Sequence, residues 1–223
     1  GLKKDTPRQF ELDKIGFSDP IVQFNPTTFL RKIPWLNGKK QMYIDFRKKH
    51  HLQNIDNSET DIYCIGWGDF QIVKEILPEL RLMFKPKFEI TSQLSETIKL
   101  IQKKNAVAVH IRRTDYLNPE IGGYAMGICN EKYYANAIKK IKQSVENPHF
   151  IFFSDDPVYV TENYNLENSS IISGNKGYED LYLMSLCNYF ILANSTFSFW
   201  GATLCSQKNP TVFIPQFWYN YPL

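Results

Sequence analysis

The sequence predicts a parallel α/β protein. Three observations carry this. Five short apolar stretches recur through the second half, amphipathic helical text separates them, and polar clusters close the main ones. Strands alternating with helices at this length form βαβ units, which assemble into a parallel sheet with helices on its faces.

The first stretch, residues 106–111, is apolar and β-branched, the pattern of a strand buried on both faces. Asn130 suits the N-cap of a helix through Val145, with Tyr134, Ile138, Ile141 and Val145 along one side. Residues 150–153 form a second strand ending at Ser154-Asp155-Asp156, and Pro157 suits the first turn of a short helix. Residues 170–173 are a third strand, followed by a helix over about 178–188 with Glu179 and Asp180 in its first turn. Residues 189–193 are a fourth, closed by Asn194-Ser195-Thr196 and a helix to about Ser206; residues 211–214 are a fifth.

Upstream the text is polar and irregular. Its best strand is Ile62-Tyr63-Cys64-Ile65, followed by the turn-like Gly66-Trp67-Gly68-Asp69. Helices are expected over 70–83 and 92–103, the second capped by Ser92, with Leu94, Ile98 and Ile101 recurring at spacings of four and three. The change of texture near residue 104 predicts two domains, 1–104 and 105–223.

With 223 residues, 43% apolar and 22% charged, the chain is long and apolar enough for real cores, which excludes disorder. Residues 1–104 carry 18 Lys/Arg against 13 Asp/Glu, and residues 105–223 carry 8 against 10. The net +3 is too small to argue for nucleic acid. The basic first half fits peripheral contact with anionic lipid or an acidic glycan, or simply solvated lysines. The 15% aromatic content fits core packing or sugar stacking. Cys64, Cys129, Cys187 and Cys205 form no close pair, and His50, His51, His110 and His149 have no zinc spacing. Cys187 and Cys205 read as buried free thiols, which favours a reducing, bacterial-type cytoplasm over a detached luminal domain. No apolar run reaches membrane-spanning length. The chain opens on Gly1-Leu2-Lys3-Lys4-Asp5 without Met or signal-peptide text and reads as a fragment.

Ligands of an open parallel sheet bind beyond the carboxyl ends of its strands. Those ends carry Arg112-Arg113-Thr114-Asp115, Ser154-Asp155-Asp156 and Asn194-Ser195-Thr196, so three polar clusters converge on one rim. Two guanidinium forks offer bidentate hydrogen bonds to a diphosphate and keep their protons; the plainer reading pairs an arginine with Asp115. Asn194-Ser195-Thr196, at a strand-to-helix turn, reads either as an anion cradle or as a helix cap. Asp155 and Asp156 could hold a divalent cation, although Asp156 before Pro157 also fits an N-cap, and the arginines make a metal unnecessary. His110 beside two arginines should stay neutral, bonding the donor or filling the core. No glycine-rich phosphate loop is present, which argues against a dehydrogenase or P-loop kinase. Asn168-Ser169-Ser170 and Asn194-Ser195-Thr196 are formal glycosylation sequons, the second implausibly placed in the diphosphate turn.

At these residues the sequence resembles the α-1,2-fucosyltransferases of glycosyltransferase family eleven. The resemblance is carried by His110-Ile111-Arg112-Arg113-Thr114-Asp115-Tyr116 and Phe153-Ser154-Asp155-Asp156, then by Asp180-Leu181-Tyr182-Leu183-Met184-Ser185 and the run from Asn194 to Ala202. It is looser upstream, at Phe10-Glu11-Leu12 and in the altered Gly66-Trp67-Gly68-Asp69-Phe70-Gln71. Phe199 stands where Trp is common, and the family's glycine-rich opening is not in this sequence. The resemblance implies a GT-B-like fold, with a Rossmann-type donor domain over 105–223 and an incomplete N-terminal α/β acceptor domain. It implies transfer of L-fucose from GDP-β-L-fucose to the 2-hydroxyl of a terminal galactose, with inversion and no obligatory metal. Arg113, supported by Arg112, would neutralise the GDP. Ser195, Thr196 and Phe197, beside Asn194, would hold the diphosphate, and Asp155 or Asp156 would read guanine or ribose. Asp115 is the nearest carboxylate for the acceptor proton, or it braces the arginines. The competing expectations are a GDP-fucose transferase of α-1,6 or protein O-linked specificity, and an inactive sugar-binding module.

Overall fold

The computed structural model describes residues 11–16, 40–45, 60–65, 70–118, 127–207 and 209–218. The chain divides into two compact units, one of Ser18–Glu79 and one of Gly1–Phe17 with Leu80–Leu223. The expected turn over 66–69, the landmark Phe10, and His50 and His51 lie outside the described residues.

In the first unit, β1 (Lys40–Asp45) and β2 (Thr60–Ile65) pair in parallel, Lys40 opposite Thr60 and Asp45 opposite Ile65. The sequence foresaw β2 but not β1, whose Met42-Tyr43-Ile44 sits between Lys, Gln and Asp and gives little apolar signal. The helix expected over 70–83 is α1 (Phe70–Met83).

The larger unit is built on five strands: β3 (Asn105–Ile111), β4 (Pro148–Ser154), β5 (Ser169–Ile172), β6 (Tyr189–Ile191) and β7 (Thr211–Phe213). They lie in the order β5-β4-β3-β6-β7, and every pairing is parallel. This is the Rossmann-type α/β sheet the sequence predicted. The strand order reverses between β3 and β6, which makes the crevice at their carboxyl ends the topological switch point.

Five helices accompany these strands: α2 (Ser92–Lys103), α3 (Glu131–Ser144), α4 (Pro157–Asn163), α5 (Gly177–Ser185) and α6 (Thr196–Thr203). Alternate residues of β3 serve two apolar layers. Ala106 and Ala108 pack with Leu94 and Ile101 of α2, Met184 of α5 and Ala202 of α6. Val107, Val109 and Ile111 pack with Tyr134, Ile138 and Ile141 of α3 and Val160 of α4. Each such fully buried Val or Ile contributes roughly 1.5–3 kcal/mol, so β3 is fixed as the spine on which the site is built.

The sequence texture put the domain break at 104, whereas α2 carries Leu94 and Ile101 into the same core as β3, so residues 80–104 belong with the sheet. The N-cap of α2 is Thr91, not Ser92: Thr91 is extended and its hydroxyl accepts from the Leu94 amide at 3.2 Å. Asn130 caps α3 as expected, accepting from Tyr133 N at 2.9 Å. Helix α5 stops at Ser185, short of the expected 188, because the Asn188 amide donates to Ala106 O at 3.0 Å and so already extends the sheet. Gly201 lets α6 approach α5, since a Cβ there would stand 3.0 Å from Met184 Cβ. A 3-10 turn, Leu12–Ile15, is tied to the sheet unit by Lys85 N donating to Ile15 O and Lys87 N to Lys14 O. Gly16 continues this path at φ +103, where a Cβ would collide with Met83 O.

Candidate functional site

The chain leaves β3 through Arg112 and Arg113, and the structure gives the two arginines different work. Arg112 is spent inside its own loop. Its Nε and Nη2 donate to both oxygens of Asp115, at 2.7 and 2.8 Å, and Nε lies 3.2 Å from Asp155 Oδ2. Asp115 is therefore held bidentately, each oxygen accepting from Arg112.

Arg113 points elsewhere. Its Nε donates to Asp156 Oδ2 at 3.2 Å, and its guanidinium carbon lies 3.4 Å from the centroid of the Tyr159 ring. Among the described residues, nothing engages its two terminal NH2 groups. A guanidinium fixed at Nε and along one face, with its fork unclaimed, is preorganised for an oxyanion.

Asp155 and Asp156 do not present free carboxylates. Asp155 Oδ1 accepts from Arg113 N at 2.9 Å, and Oδ2 accepts from Thr114 N at 3.2 Å and Thr114 Oγ1 at 2.5 Å. With Arg112 also against Oδ2, Asp155 is engaged mainly within the protein and moulds the loop. Asp156 caps α4, accepting from Tyr159 N at 3.1 Å, and holds Arg113 with its other oxygen. It too is engaged within the protein, one bond on each oxygen. Among the described residues no three His, Cys, Asp or Glu side chains gather as metal ligands.

The second wall of the crevice is the β6–α6 turn. Ser195 is the N-cap of α6 but makes no side-chain capping bond, so the first-turn amides of Thr196, Phe197 and Ser198 have no side-chain acceptor. This is the donor array that a helix N-terminus offers an anion. Asn194, expected in the same cradle, is 3% exposed and committed: its Nδ2 donates to Trp218 O at 3.0 Å and Gly127 O at 3.3 Å, and its Oδ1 accepts from Cys129 Sγ at 3.5 Å. It ties three segments beneath the turn, and its burial also leaves no room for a glycan. Tyr116 joins the two walls, donating to Asn194 O at 3.0 Å.

His110 lies between the walls. Its ring is 5.5 Å from that of Phe197, it is buried, and its Nδ1 has no hydrogen-bond partner among the described residues. Burial first, then the charge of Arg112, push its pKa from 6.5 to about 4, so the ring is neutral at ordinary pH. Buried polar atoms are nearly always hydrogen-bonded, so this bare nitrogen is unusual.

Three features escaped the sequence reading. Tyr134 donates to His110 O at 3.0 Å and Tyr133 to Leu192 O at 2.7 Å, so α3 pins the ends of β3 and β6. Their spacing on α3 reads only as core. Tyr159 gave no signal beyond a helical aromatic. Asp180, in the first turn of α5 after β5, has its carboxyl pushed up to about 6, mainly by burial. Asn175 Nδ2 donates to its Oδ1 at 3.0 Å. A cavity of about 580 Å³ flanks α3, lined by Ile138, Lys139, Lys142 and Leu166 and, at one end, by Glu131 and Tyr164, which contact Tyr159.

Fold and rim together define a Rossmann-type α/β protein with the Arg113 fork and an uncapped helix end at its switch point. Residues 35–222 match the model of glycosyl transferase family 11, and the chain belongs to that family, with the α/β, GT-B-like fold expected of it. An α-1,2-colitosyltransferase of Escherichia coli is 29% identical over 95% of this chain and 77% of its own length. Galactoside α-(1,2)-fucosyltransferase 2 of Rattus norvegicus is 24% identical over 78% of this chain; the chain spans 51% of that relative. Among solved structures, POFUT1 in complex with GDP aligns with a TM-score of 0.43 at 13% identity, covering 85% of this chain and 78% of that one.

Proposed function

We propose that this chain is an inverting glycosyltransferase that moves L-fucose from GDP-β-L-fucose to the 2-hydroxyl of a terminal galactose. The observation that carries the reading is the Arg113 fork, braced and unclaimed, opposite the uncapped N-terminus of α6. The diphosphate sits between them. Arg113 and the amides of Thr196 and Phe197, with the Ser195 and Thr196 hydroxyls, stabilise the charge that grows on GDP as the glycosidic bond breaks. The sugar passes through an oxocarbenium-like state, and the galactose 2-hydroxyl attacks from the opposite face, inverts the anomeric centre and gives its proton to solvent or to Asp115, the nearest carboxylate. His110, neutral and unpartnered at Nδ1, hydrogen-bonds the donor. Arg112, Asp115, Asp155 and Asp156 hold the loop in shape.

No metal is needed in this account, because fixed cations and backbone donors meet the phosphate charge. We place the enzyme in a reducing cytoplasm, a reading supported by Cys187 and Cys205, which are buried free thiols.

A second donor is favoured by the colitosyltransferase similarity, which covers most of this chain. Colitose is L-fucose without its 3-hydroxyl, so the same diphosphate site accepts either sugar nucleotide. The test is a transfer assay with GDP-fucose and GDP-colitose on galactose-terminated acceptors, with and without EDTA, followed by linkage analysis. We expect an α-1,2 product that survives EDTA. Loss of activity with EDTA overturns the metal-free mechanism, and an α-1,6 or protein-linked product overturns the acceptor assignment.

A further inference from the structure

We infer that Tyr159 is a positioning residue for the donor site: its ring is the platform that sets the plane of the Arg113 guanidinium. The inference rests on the reading of Arg113 as the diphosphate cation.

The ring and the cation are in van der Waals contact, 3.4 Å from guanidinium carbon to ring centroid. At that distance the guanidinium lies over the ring face, where the aromatic quadrupole attracts a cation most strongly. The ring is itself held. Its hydroxyl donates to Glu131 Oε1, the first residue of α3, at 3.2 Å, and the Tyr164 ring packs against it with centroids 6.1 Å apart. Asp156 closes the unit. One carboxylate oxygen accepts the Tyr159 amide and caps α4, and the other accepts from Arg113 Nε. The cation and the helix that carries its platform therefore share one anchor.

A free arginine has many rotamers, and freezing them on binding weakens the complex. Here the face and Nε are fixed before any ligand arrives, and only the terminal NH2 groups remain for oxyanion contact. The neighbouring Val158 is 65% exposed, so the helix turns Tyr159 toward the site and leaves an aliphatic residue in solvent. The phenol hydroxyl serves the ring and does not touch the donor. The ring face is what acts, which makes a clear prediction: an aromatic of any kind suffices.

The experiment measures GDP affinity by calorimetry, with KM and kcat for the sugar nucleotide, in Tyr159→Phe, Tyr159→Trp and Tyr159→Leu, and in each combined with Arg113→Ala. Tyr159→Phe and Tyr159→Trp should bind GDP within about twofold of wild type. Tyr159→Leu should weaken GDP about tenfold and raise KM to match. In the Arg113→Ala background the same change should do nothing more, because the platform has lost what it positions. Circular dichroism checks the fold, and Tyr159→Met, which keeps bulk without a π face, stands in should Tyr159→Leu unfold. Wild-type affinity in Tyr159→Leu or Tyr159→Met, or an equal loss with and without Arg113, overturns the inference. Wild-type protein that binds no GDP overturns the donor reading itself, and the inference with it.

Discussion

The loop after β3 and the turn after β6 are the two walls of one crevice, and they are built on opposite plans. Around the loop, Arg112 answers Asp115 and Asp155, Asp156 holds Arg113 at Nε, and only the Arg113 fork is left over. In the turn, Asn194 is tied down from below, while the helix end above it is uncapped. The first wall uses five charged side chains, Arg113 included, to present one cation. The second presents backbone dipoles with no side-chain intermediary. On the proposed reading both would lower the reorganisation needed when a diphosphate departs, but they should fail differently: the loop by losing shape, the turn by losing donors.

Replacing Arg113 should separate them most sharply. Arg113→Ala removes the presented fork and should lower kcat/KM by about a thousandfold. Asp155→Ala is next. It strips an acceptor from Arg112, Arg113 N and Thr114, so it should cost about 2–3 kcal/mol and lower the melting temperature by several degrees, with activity falling alongside. Unchanged melting with full activity would break the view of Asp155 as the mould of the loop.

The smallest effects test the turn and the buried titrating groups. Ser195→Ala removes a hydroxyl that caps nothing, so stability should change by less than about 0.5 kcal/mol while the donor KM rises several-fold. A loss of a full capping energy, about 1 kcal/mol as expected for Asn130→Ala, would show that Ser195 caps after all. The pH dependence of stability separates Asp180 from His110. Asp180 is raised from 3.8 to about 6, so its favourable contribution is complete below 3.8 and is lost as pH rises through 6. His110 is lowered from 6.5 to about 4, so its contribution is complete above 6.5 and is lost as pH falls toward 4. The two slopes oppose each other between pH 4 and 6. In chemical denaturation, the stability of Asp180→Asn relative to wild type should therefore climb across that window, by up to about 1.4 kcal/mol per pH unit, and level off above it. A flat difference would show that burial does not perturb Asp180.

Much of the sheet was legible because its strands are apolar runs with β-branched residues, and the rim followed from the polar clusters that close them. What was not legible depends on long-range partners. Asp155 looked like a ligand because its partners, Arg113 and Thr114, lie 42 and 41 residues earlier in the chain. Asn194 looked like part of the cradle because Gly127 lies 67 residues earlier and Trp218 24 residues later. The cap of α2 was missed by one residue because Thr91 and Ser92 are both capable, and only the extended backbone of Thr91 decides between them. Strand β1 was missed because its pairing with β2, not its own composition, makes it a strand.

The central claim is that the adjacent arginines divide their labour, Arg113 for the donor and Arg112 for the loop. Calorimetric titration of GDP into Arg113→Ala and Arg112→Ala, with melting temperatures measured on the same samples, tests it directly. The account predicts that Arg113→Ala weakens GDP binding about a hundredfold, still measurable, and keeps its melting temperature within a degree or two. Arg112→Ala should lose roughly 2 kcal/mol of stability, because Asp115 and Asp155 are left facing each other without their cation. Wild-type GDP affinity in Arg113→Ala would contradict it.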